Sequence, residues 1–241
     1  MASPFFPSQQ DIERYRRVRA LSVQLSQRIL DTVPGQALSD VGDAMGIRHN
    51  GVVIFDSDEV SSVMADCCLY DWFENGKNRV QLYVETHPAR PGTDESDLLN
   101  AYTQAKYRVL RIQSAVPDAG VYCTDGLTHE EFFLMDLGLS RSTDTIKALA
   151  TRTIPLGGCW MTGGAALPIT SGKALKHALS GADSGKHELL AGPGGFALLI
   201  VRALLADGVA DHVAYASVGT QLRKPRIEPR FQGSKRRRRL T

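Results

Sequence analysis

The sequence has few of the residues from which metal, disulfide or thiol-redox sites are built. Its four cysteines, none of them in a Cys-x-x-Cys pair, are Cys67, Cys68, Cys123 and Cys159. This spacing argues against a disulfide framework and against a cysteine zinc site. The six histidines include no His-x-x-x-His pair, so they do not indicate metal binding either. We therefore expect buried free thiols in a reducing compartment, with no metal and no cofactor.

Long apolar runs are also scarce. The run at 189–206 contains four Gly/Pro residues at 192–195 and Arg202 near its end. Its uninterrupted apolar part is too short to span a bilayer, and it predicts a buried amphipathic helix over 196–206. The first residues lack the charged and then apolar layout of a signal peptide. These features predict a soluble, cytoplasmic protein with no membrane partner.

Glycine-rich segments occur, but none matches a nucleotide-binding motif. The Gly-Pro-Gly-Gly stretch at 192–195 lacks the Gly-Lys-Ser/Thr ending of a phosphate-binding loop, so we interpret it as a plain loop. Four glycines flank Cys159 and Trp160, as around some nucleophilic thiols. A thiolate nucleophile needs a nearby base, and no histidine is close in sequence. The favoured interpretation is a strand between two turns, with Trp160 in the core and Cys159 filling a small space.

The apolar content of 43% is ordinary for a globular protein and allows a substantial core. Apolar residues recur every three or four positions after Ser8, which is followed by Asp11 in the first turn of a predicted helix. Further helices are predicted at 36–45 with Gly46 as the stop, from about 57 to 75, after Asn78, from Thr93 to about 106, and at 171–179. We predict one domain over 8–220, helical at 8–106, β-rich at 107–165 and helical at 170–208.

The pattern changes in the middle of the chain. Five β-rich runs, at 107–116, 120–124, 131–137, 147–154 and 159–162, are separated by turn residues. Because consecutive strands joined by short turns usually pair with each other, we expect an antiparallel β-meander over about 107–162. Helices on both sides of it in sequence make the predicted fold class α+β, and a flexible basic tail follows.

One short motif resembles a catalytic site. An apolar run at 52–55, read as a buried strand, is followed by Asp56, Asp58 and Val60. This resembles the first motif of haloacid-dehalogenase-type phosphohydrolases over about nine residues. The resemblance implies that Asp56 attacks phosphorus, that Asp58 is the general acid/base, and that Mg²⁺ binds beside them. The alternative is structural: Asp56 or Ser57 caps the next helix and the acids favour its N-terminus.

The acids around this motif form a dense group. Asp66, Asp71 and Glu74 follow Asp58 and Glu59 along the same predicted helix and its end. The simplest interpretation is a solvated helix face, and a surface for docking a partner is the alternative.

The strongest signal is the distribution of charge. Residues 221–241 hold nine Lys/Arg against Glu228, a net charge of +8 (9 − 1), so residues 1–220 carry −6 (19 − 25). Such a segment can hold a polyanion without a folded site. The predicted polyanion-binding residues are Arg223, Lys224, Arg226, Arg230, Lys235, Arg236, Arg237, Arg238 and Arg239. Four arginines of the first helix, at 14, 16, 17 and 19, add to the basic character of the chain.

These charges predict a non-catalytic intracellular binding or accessory protein whose arm engages RNA, DNA or an acidic protein surface. Two alternatives stay open. One is the metal-dependent phosphohydrolase using Asp56 and Asp58. The other is a self-associating scaffold, in which the arm docks on the acidic region of another copy. A tail that only aids solubility is also compatible with this composition.

Overall fold

The computed structural model describes residues 5–55, 57–173, 176 and 195–208, and within them the chain is a mixture of helices and β-strands. The helices are α1 (Gln9–Leu30), α2 (Gly35–Met45), α3 (Asp58–Tyr70), α4 (Arg79–Thr86), α5 (Asp94–Thr103), α6 (Leu137–Ser140) and α7 (Gly195–Ala206). The strands are β1 (Arg48–His49), β2 (Val52–Val53), β3 (Phe73–Glu74), β4 (Lys77–Asn78), β5 (Lys106–Val116), β6 (Gly120–Asp125), β7 (Glu131–Met135), β8 (Ala148–Leu156) and β9 (Cys159–Pro168). The α+β class is therefore confirmed.

Local sequence signals account for the helix ends. Ser8 and Asp11 form a capping box at the start of α1, in which the Ser8 hydroxyl accepts from the Asp11 N–H and the Asp11 carboxylate accepts from the Ser8 N–H. Gly46 ends α2 in the left-handed conformation with φ 77°, which glycine adopts without steric cost. The predicted helix at 171–179 lies mostly outside the described residues. None of the helices in the described ranges is long and apolar enough to cross a bilayer.

The five long strands form a closed barrel with the order β5-β6-β7-β9-β8, and β8 pairs back onto β5. All pairs are antiparallel except β7 with β9, which is parallel. The predicted meander over 107–162 is therefore corrected. The strands lie close to their predicted positions in the sequence. In the barrel, however, β7 is followed by β9 and not by β8, and β7 and β9 run parallel.

The length of β5 explains this order. Its last part, 110–116, pairs with β6, whereas its first part, 106–111, pairs with β8. A bulge between Ile112 and Ser114 lies in the part that pairs with β6, and bulges of this kind bend a strand. The connection at 136–147, which contains α6, lets the chain return to the free edge of β5. A first strand paired to the second and fourth, with the third parallel to the fifth, is the topology of the OB-fold, a five-stranded Greek-key barrel.

Apolar side chains pack on both sides of the barrel wall. Leu110, Val121, Leu134 and Leu149 meet in its interior. One outer region packs against α1, α4 and α5, and another packs against α2, α3 and α7. As a consequence, β8 is buried on both of its faces over most of its length. The described helices thus form a layer around the barrel rather than a separate bundle.

We predict that Gly120→Ala destabilises the fold severely. A Cβ at this position would collide with the carbonyl oxygen of Leu134 and lie 2.9 Å from the Cα of Met135. These are backbone atoms of the neighbouring strand, so relief requires the β6–β7 pair to separate. We expect a loss of about 2–3 kcal/mol in the free energy of unfolding, measured by urea denaturation.

The matched control is Gly35→Ala, because a Cβ at Gly35 would meet no atom within 4 Å. Its unfolding free energy should change by less than about 1 kcal/mol. Equal stability of the two variants would contradict the strand contact described above.

Candidate functional site

A buried arginine joins the barrel to α3. Arg152 on β8 donates from Nε and Nη2 to Oδ2 of Asp66, at 3.1 and 2.9 Å, and also from Nη2 to Oδ2 of Asp71. The three side chains are at most 9% exposed. The guanidinium carbon lies 4.5 Å from the ring centroid of Tyr70 and 5.1 Å from that of Tyr107. We call Arg152, Asp66 and Asp71 the ionic cluster.

The secondary structure places each member of the ionic cluster. Asp66 lies within α3, and Asp71 is the residue that ends this helix. Arg152 lies in β8 next to β9, where Gly163 leaves space for it. A Cβ on Gly163 would be 3.0 Å from the Cβ of Arg152 and 3.3 Å from Oδ1 of Asp66. The close approach of α3 to β9 therefore depends on the absence of a side chain at this position.

Burial and charge act in opposite directions on these groups. Burial raises the pKa of Asp71 to about 6 although Arg152 favours its ionised form, and burial raises the pKa of Asp66 as well. Burial disfavours the charged form of Arg152, but the two carboxylates outweigh it and raise the pKa of this group. When both acids are ionised, the ionic cluster carries one negative charge in excess.

The ionic cluster is not built as a metal centre. Asp66, Cys67 and Asp71 offer ligand atoms within 4.8 Å of one another. However, Arg152 already donates to Oδ2 of both carboxylates, so its guanidinium occupies the position between them that a metal ion would need. Burial also raises the pKa of the Cys67 thiol well above its usual value, whereas metal binding requires the thiolate. The guanidinium of Arg152 thus supplies the positive charge that a metal ion would otherwise supply to these carboxylates.

A cleft of about 280 Å³ opens beside the ionic cluster, between α1, α3 and β9. Asp66 and Tyr70 contribute from α3, Arg19 and Ser22 from α1, and Gly163 from β9. Asp66 thus belongs to both features, because its Oδ2 accepts from Arg152 and the residue also lines the cleft.

A second buried arginine, Arg108, lies on β5. Nη1 of Arg108 donates to Asp125 at 3.1 Å and to Glu130 at 2.8 Å. Its guanidinium carbon lies 4.7 Å from the Phe132 ring centroid and 4.6 Å from that of Trp160. Nε and Nη2 have no hydrogen-bond acceptor among the described residues. The two aromatic rings therefore supply the remaining electrostatic stabilisation of the cation.

The segment with the phosphohydrolase resemblance has a different structure from the expected one. Residues 52–53 form a two-residue strand paired with 48–49, and Val52 is 63% exposed and Ile54 47% exposed. The prediction of a buried strand is therefore wrong. Asp58 is the exposed first residue of α3, and Ser57 caps this helix by accepting a hydrogen bond from Val60 at 3.3 Å. Asp56 lies outside the described residues.

The acidic group was predicted as a solvated helix face, which the structure corrects for Asp66 and Asp71 but not for the exposed Asp58. Asp66 and Asp71 are buried, because Arg152 reaches them from a strand more than 80 residues later in the sequence. Glu74 is half-exposed and pairs with Arg79. Sequence reasoning missed the ionic cluster. The available signal was the presence of Arg152 in a β-run that is otherwise mostly apolar.

The thiols are buried, as predicted. Burial raises the pKa of Cys68, Cys123 and Cys159 to about 12. The Cys159 thiol lies 3.4 Å from the carbonyl oxygen of Leu156, to which it donates. Such groups are protonated at neutral pH and are poor nucleophiles. The glycine-flanked Cys159 is thus a buried residue at the start of β9, and Trp160 is partly buried beside Arg108.

The basic residues divide into two groups. On α1, Arg17 pairs with Asp94 at 2.7 Å, and Arg19 donates to the carbonyl oxygen of Thr162 at 2.7 Å. These two arginines are therefore engaged in contacts within the fold. The nine predicted polyanion-binding residues, at 223–239, lie outside the described residues.

The chain belongs to a family of unknown function, DUF7986, which matches residues 9–173. The matched stretch runs from the start of α1 to just beyond the last barrel strand, so it includes the ionic cluster and the cleft. The basic segment at 221–241 lies outside it. Comparisons with curated proteins and with solved structures found no match.

We predict that Arg152→Met destabilises the protein by about 3–5 kcal/mol, because it leaves two buried carboxylates without a cation. Adding Asp66→Asn and Asp71→Asn should recover most of this loss, since the uncompensated charges are then removed. Urea denaturation of the single and triple variants measures both effects.

The control for the arginine itself is Arg17→Met, which breaks the exposed Arg17–Asp94 pair. It should cost less than about 1 kcal/mol. A triple variant no more stable than Arg152→Met would contradict the electrostatic explanation.

The raised pKa of Asp71 predicts a pH dependence of stability. Because the folded state holds the proton up to about pH 6, Asp71 stabilises the fold below its unfolded pKa near 4. This contribution is lost as the pH rises through about 6. We therefore expect the unfolding free energy of Asp71→Asn to increase relative to wild type between pH 4 and pH 7, by up to about 3 kcal/mol. A difference between the two proteins that is constant with pH would refute this assignment.

Proposed function

We propose that this DUF7986 protein is a non-catalytic binding or accessory protein whose basic C-terminal arm, residues 221–241, engages nucleic acid or another polyanion. The observation that carries the proposal is the separation of charge along the chain. The arm has a net charge of +8 (9 − 1) and the rest of the chain −6 (19 − 25).

The contacts of the folded body strengthen this contrast. Ten ion pairs among the described residues engage eight of the 19 basic residues outside the arm. These eight are Arg17, Arg28, Arg48, Lys77, Arg79, Arg108, Arg141 and Arg152. Their charges are largely neutralised where they lie, and two of them are buried. These pairs reduce the positive charge available in a body whose net charge is already −6 (19 − 25).

The arm has the opposite character. Its nine Lys/Arg residues are accompanied by one acid, Glu228, so internal pairing within the arm can neutralise at most one of them. Guanidinium groups bind phosphates in a bidentate manner without reading sequence. The arm contains one aromatic residue, Phe231, so binding relies on phosphate contacts rather than base stacking.

The barrel topology is compatible with this role by analogy. OB-fold barrels in other proteins bind oligonucleotides or oligosaccharides on the face of their second and third strands, although a fold alone does not determine function. Here these strands are β6 and β7. Their outer residues Tyr122 and Phe133 pack against Phe5, and the Tyr122 hydroxyl donates to the Phe5 carbonyl oxygen at 2.7 Å. Because this face is partly covered, we assign the phosphate contacts to the arm.

The interior groups also favour binding over catalysis. Burial keeps the four thiols protonated, and the buried carboxylates are held by arginines, Asp66 and Asp71 by Arg152 and Asp125 by Arg108. Neither group is free to act as a nucleophile. The exposed hairpin at 48–53 likewise lacks the buried parallel strand on which the phosphohydrolase resemblance depends.

The salt dependence of binding tests the proposal. The full chain is titrated against a single-stranded RNA and a duplex DNA over a series of salt concentrations. A second protein carries Gln at positions 235–239 in place of the five basic residues. Because about five phosphate contacts are removed, the log–log slope of affinity against salt should become shallower by about 3.5 for RNA and about 4.5 for DNA.

The matched control replaces the four arginines at 236–239 by lysine, which keeps the charge of the arm. It should retain nearly all of the wild-type slope, because counterion release depends on charge. If the Gln variant keeps both the affinity and the slope of the wild type, the basic run is not the binding element and the proposal fails.

A further inference from the structure

We propose that the cleft between α1, α3 and β9 binds a small zwitterion of the free amino acid class, with its ammonium group at Asp66 and its carboxylate at Arg19. The cleft has a volume of about 280 Å³, which is sufficient for a ligand of this size. The residues that line it are all among those that the structure describes.

The first observation is an unsatisfied acceptor. Asp66 is 8% exposed, and both hydrogen bonds that it receives from Arg152 go to Oδ2. Its Oδ1 has no donor among the described residues, although the residue lines the cleft. Oδ1 is open to the cleft rather than sealed in the interior, so it can accept a hydrogen bond from a ligand N–H placed there.

The charge of the ionic cluster specifies which donor fits best. With Asp66 and Asp71 ionised, Arg152 balances one of the two negative charges. An ammonium group at Oδ1 of Asp66 would balance the second, and it would do so where low exposure strengthens the attraction. A neutral hydroxyl or amide donor would satisfy the hydrogen bond but leave the excess charge. The site therefore favours a cationic amine.

Arg19 provides the second charged contact. Its Nη1 donates to the carbonyl oxygen of Thr162 at 2.7 Å, which fixes the guanidinium against β9. The other N–H groups of Arg19 have no acceptor in the described part of the chain. Gly164 makes this position possible, because its φ is +107° and a Cβ there would lie 2.9 Å from Nη2 of Arg19. The guanidinium thus lines the cleft with donors available for a carboxylate.

Both charged groups line the same cleft beside β9. A Cβ on Gly163 would lie 3.3 Å from Oδ1 of Asp66, and a Cβ on Gly164 would lie 2.9 Å from Nη2 of Arg19. A ligand that carries both an ammonium and a carboxylate group can therefore contact both residues from within the cleft. Ser22 and Ser26 line the same cleft, and the Tyr102 hydroxyl holds both of them in place, at 2.8 and 3.0 Å.

The first experiment screens the full-length protein against free L-amino acids by thermal denaturation, followed by calorimetric titration of those that stabilise it. The tightest one is then compared with its decarboxylated amine and with its deaminated acid. We expect the amino acid to bind at least about tenfold more tightly than either, because each analogue loses one charged contact. Absence of saturable binding tighter than about 1 mM, or equal affinity for the amine alone, overturns the proposal.

Two pairs of variants locate the binding. Arg19→Gln should weaken amino acid binding at least about tenfold and leave binding of the amine unchanged, while Arg16→Gln, an exposed site three residues earlier, should alter neither. Gly163→Ala places a methyl group 3.3 Å from Oδ1 of Asp66 and should weaken both ligands, with Gly35→Ala as its control. Unchanged affinity in both Arg19→Gln and Gly163→Ala would place the ligand elsewhere and overturn the assignment.

Discussion

The burial of Arg152 between α3 and the barrel is the interaction that fixes how the helical layer sits on the strands. Apolar contacts alone would let α3 slide or rotate, because they are non-directional. The guanidinium instead requires Asp66 within the helix and Asp71 at its end to face β8 together. Two flanking tyrosine rings complete its surroundings. A buried ion pair adds little net stability, since desolvation opposes the attraction, but its hydrogen bonds are directional and are satisfied in this arrangement of α3 and β8.

The same interaction determines the chemistry that the interior can perform. One cation for two carboxylates leaves a negative charge in excess, and that excess raises the pKa of Cys67 further beyond the effect of burial. The site is thus unsuited to thiolate chemistry but suited to attracting a cationic group. Gly163 contributes to both properties, because its lack of a side chain lets Arg152 approach and leaves Oδ1 of Asp66 uncovered. Packing and recognition therefore depend on the same few atoms.

Sequence patterns predicted the parts of the fold that depend on neighbouring residues. Ser8, Asp11 and Gly46 marked helix ends because capping acts over three or four positions. The barrel order was not predictable in this way, since it depends on β5 pairing with two partners through different halves. The ionic cluster was missed for a related reason: Asp66 and Arg152 are 86 residues apart, and acids on a helix usually face water. The prediction of a buried strand at 52–55 was wrong because the exposure of an apolar run depends on the surrounding fold.

The charges of residues 1–220 and of the basic arm at 221–241 differ in sign and in how they are arranged. In the ten ion pairs of the described residues, opposite charges lie within 4 Å of each other, so the fields of these pairs largely cancel beyond a Debye length of about 8–10 Å. In the arm, one acid accompanies nine cations, so the field does not cancel and extends toward an approaching polyanion. Phe5 covers part of the β6–β7 face, which is the surface that such a ligand would use by analogy with other barrels of this topology. If the arm engages a polyanion as we propose, long-range attraction of that ligand belongs to the arm, because the rest of the chain carries a net negative charge.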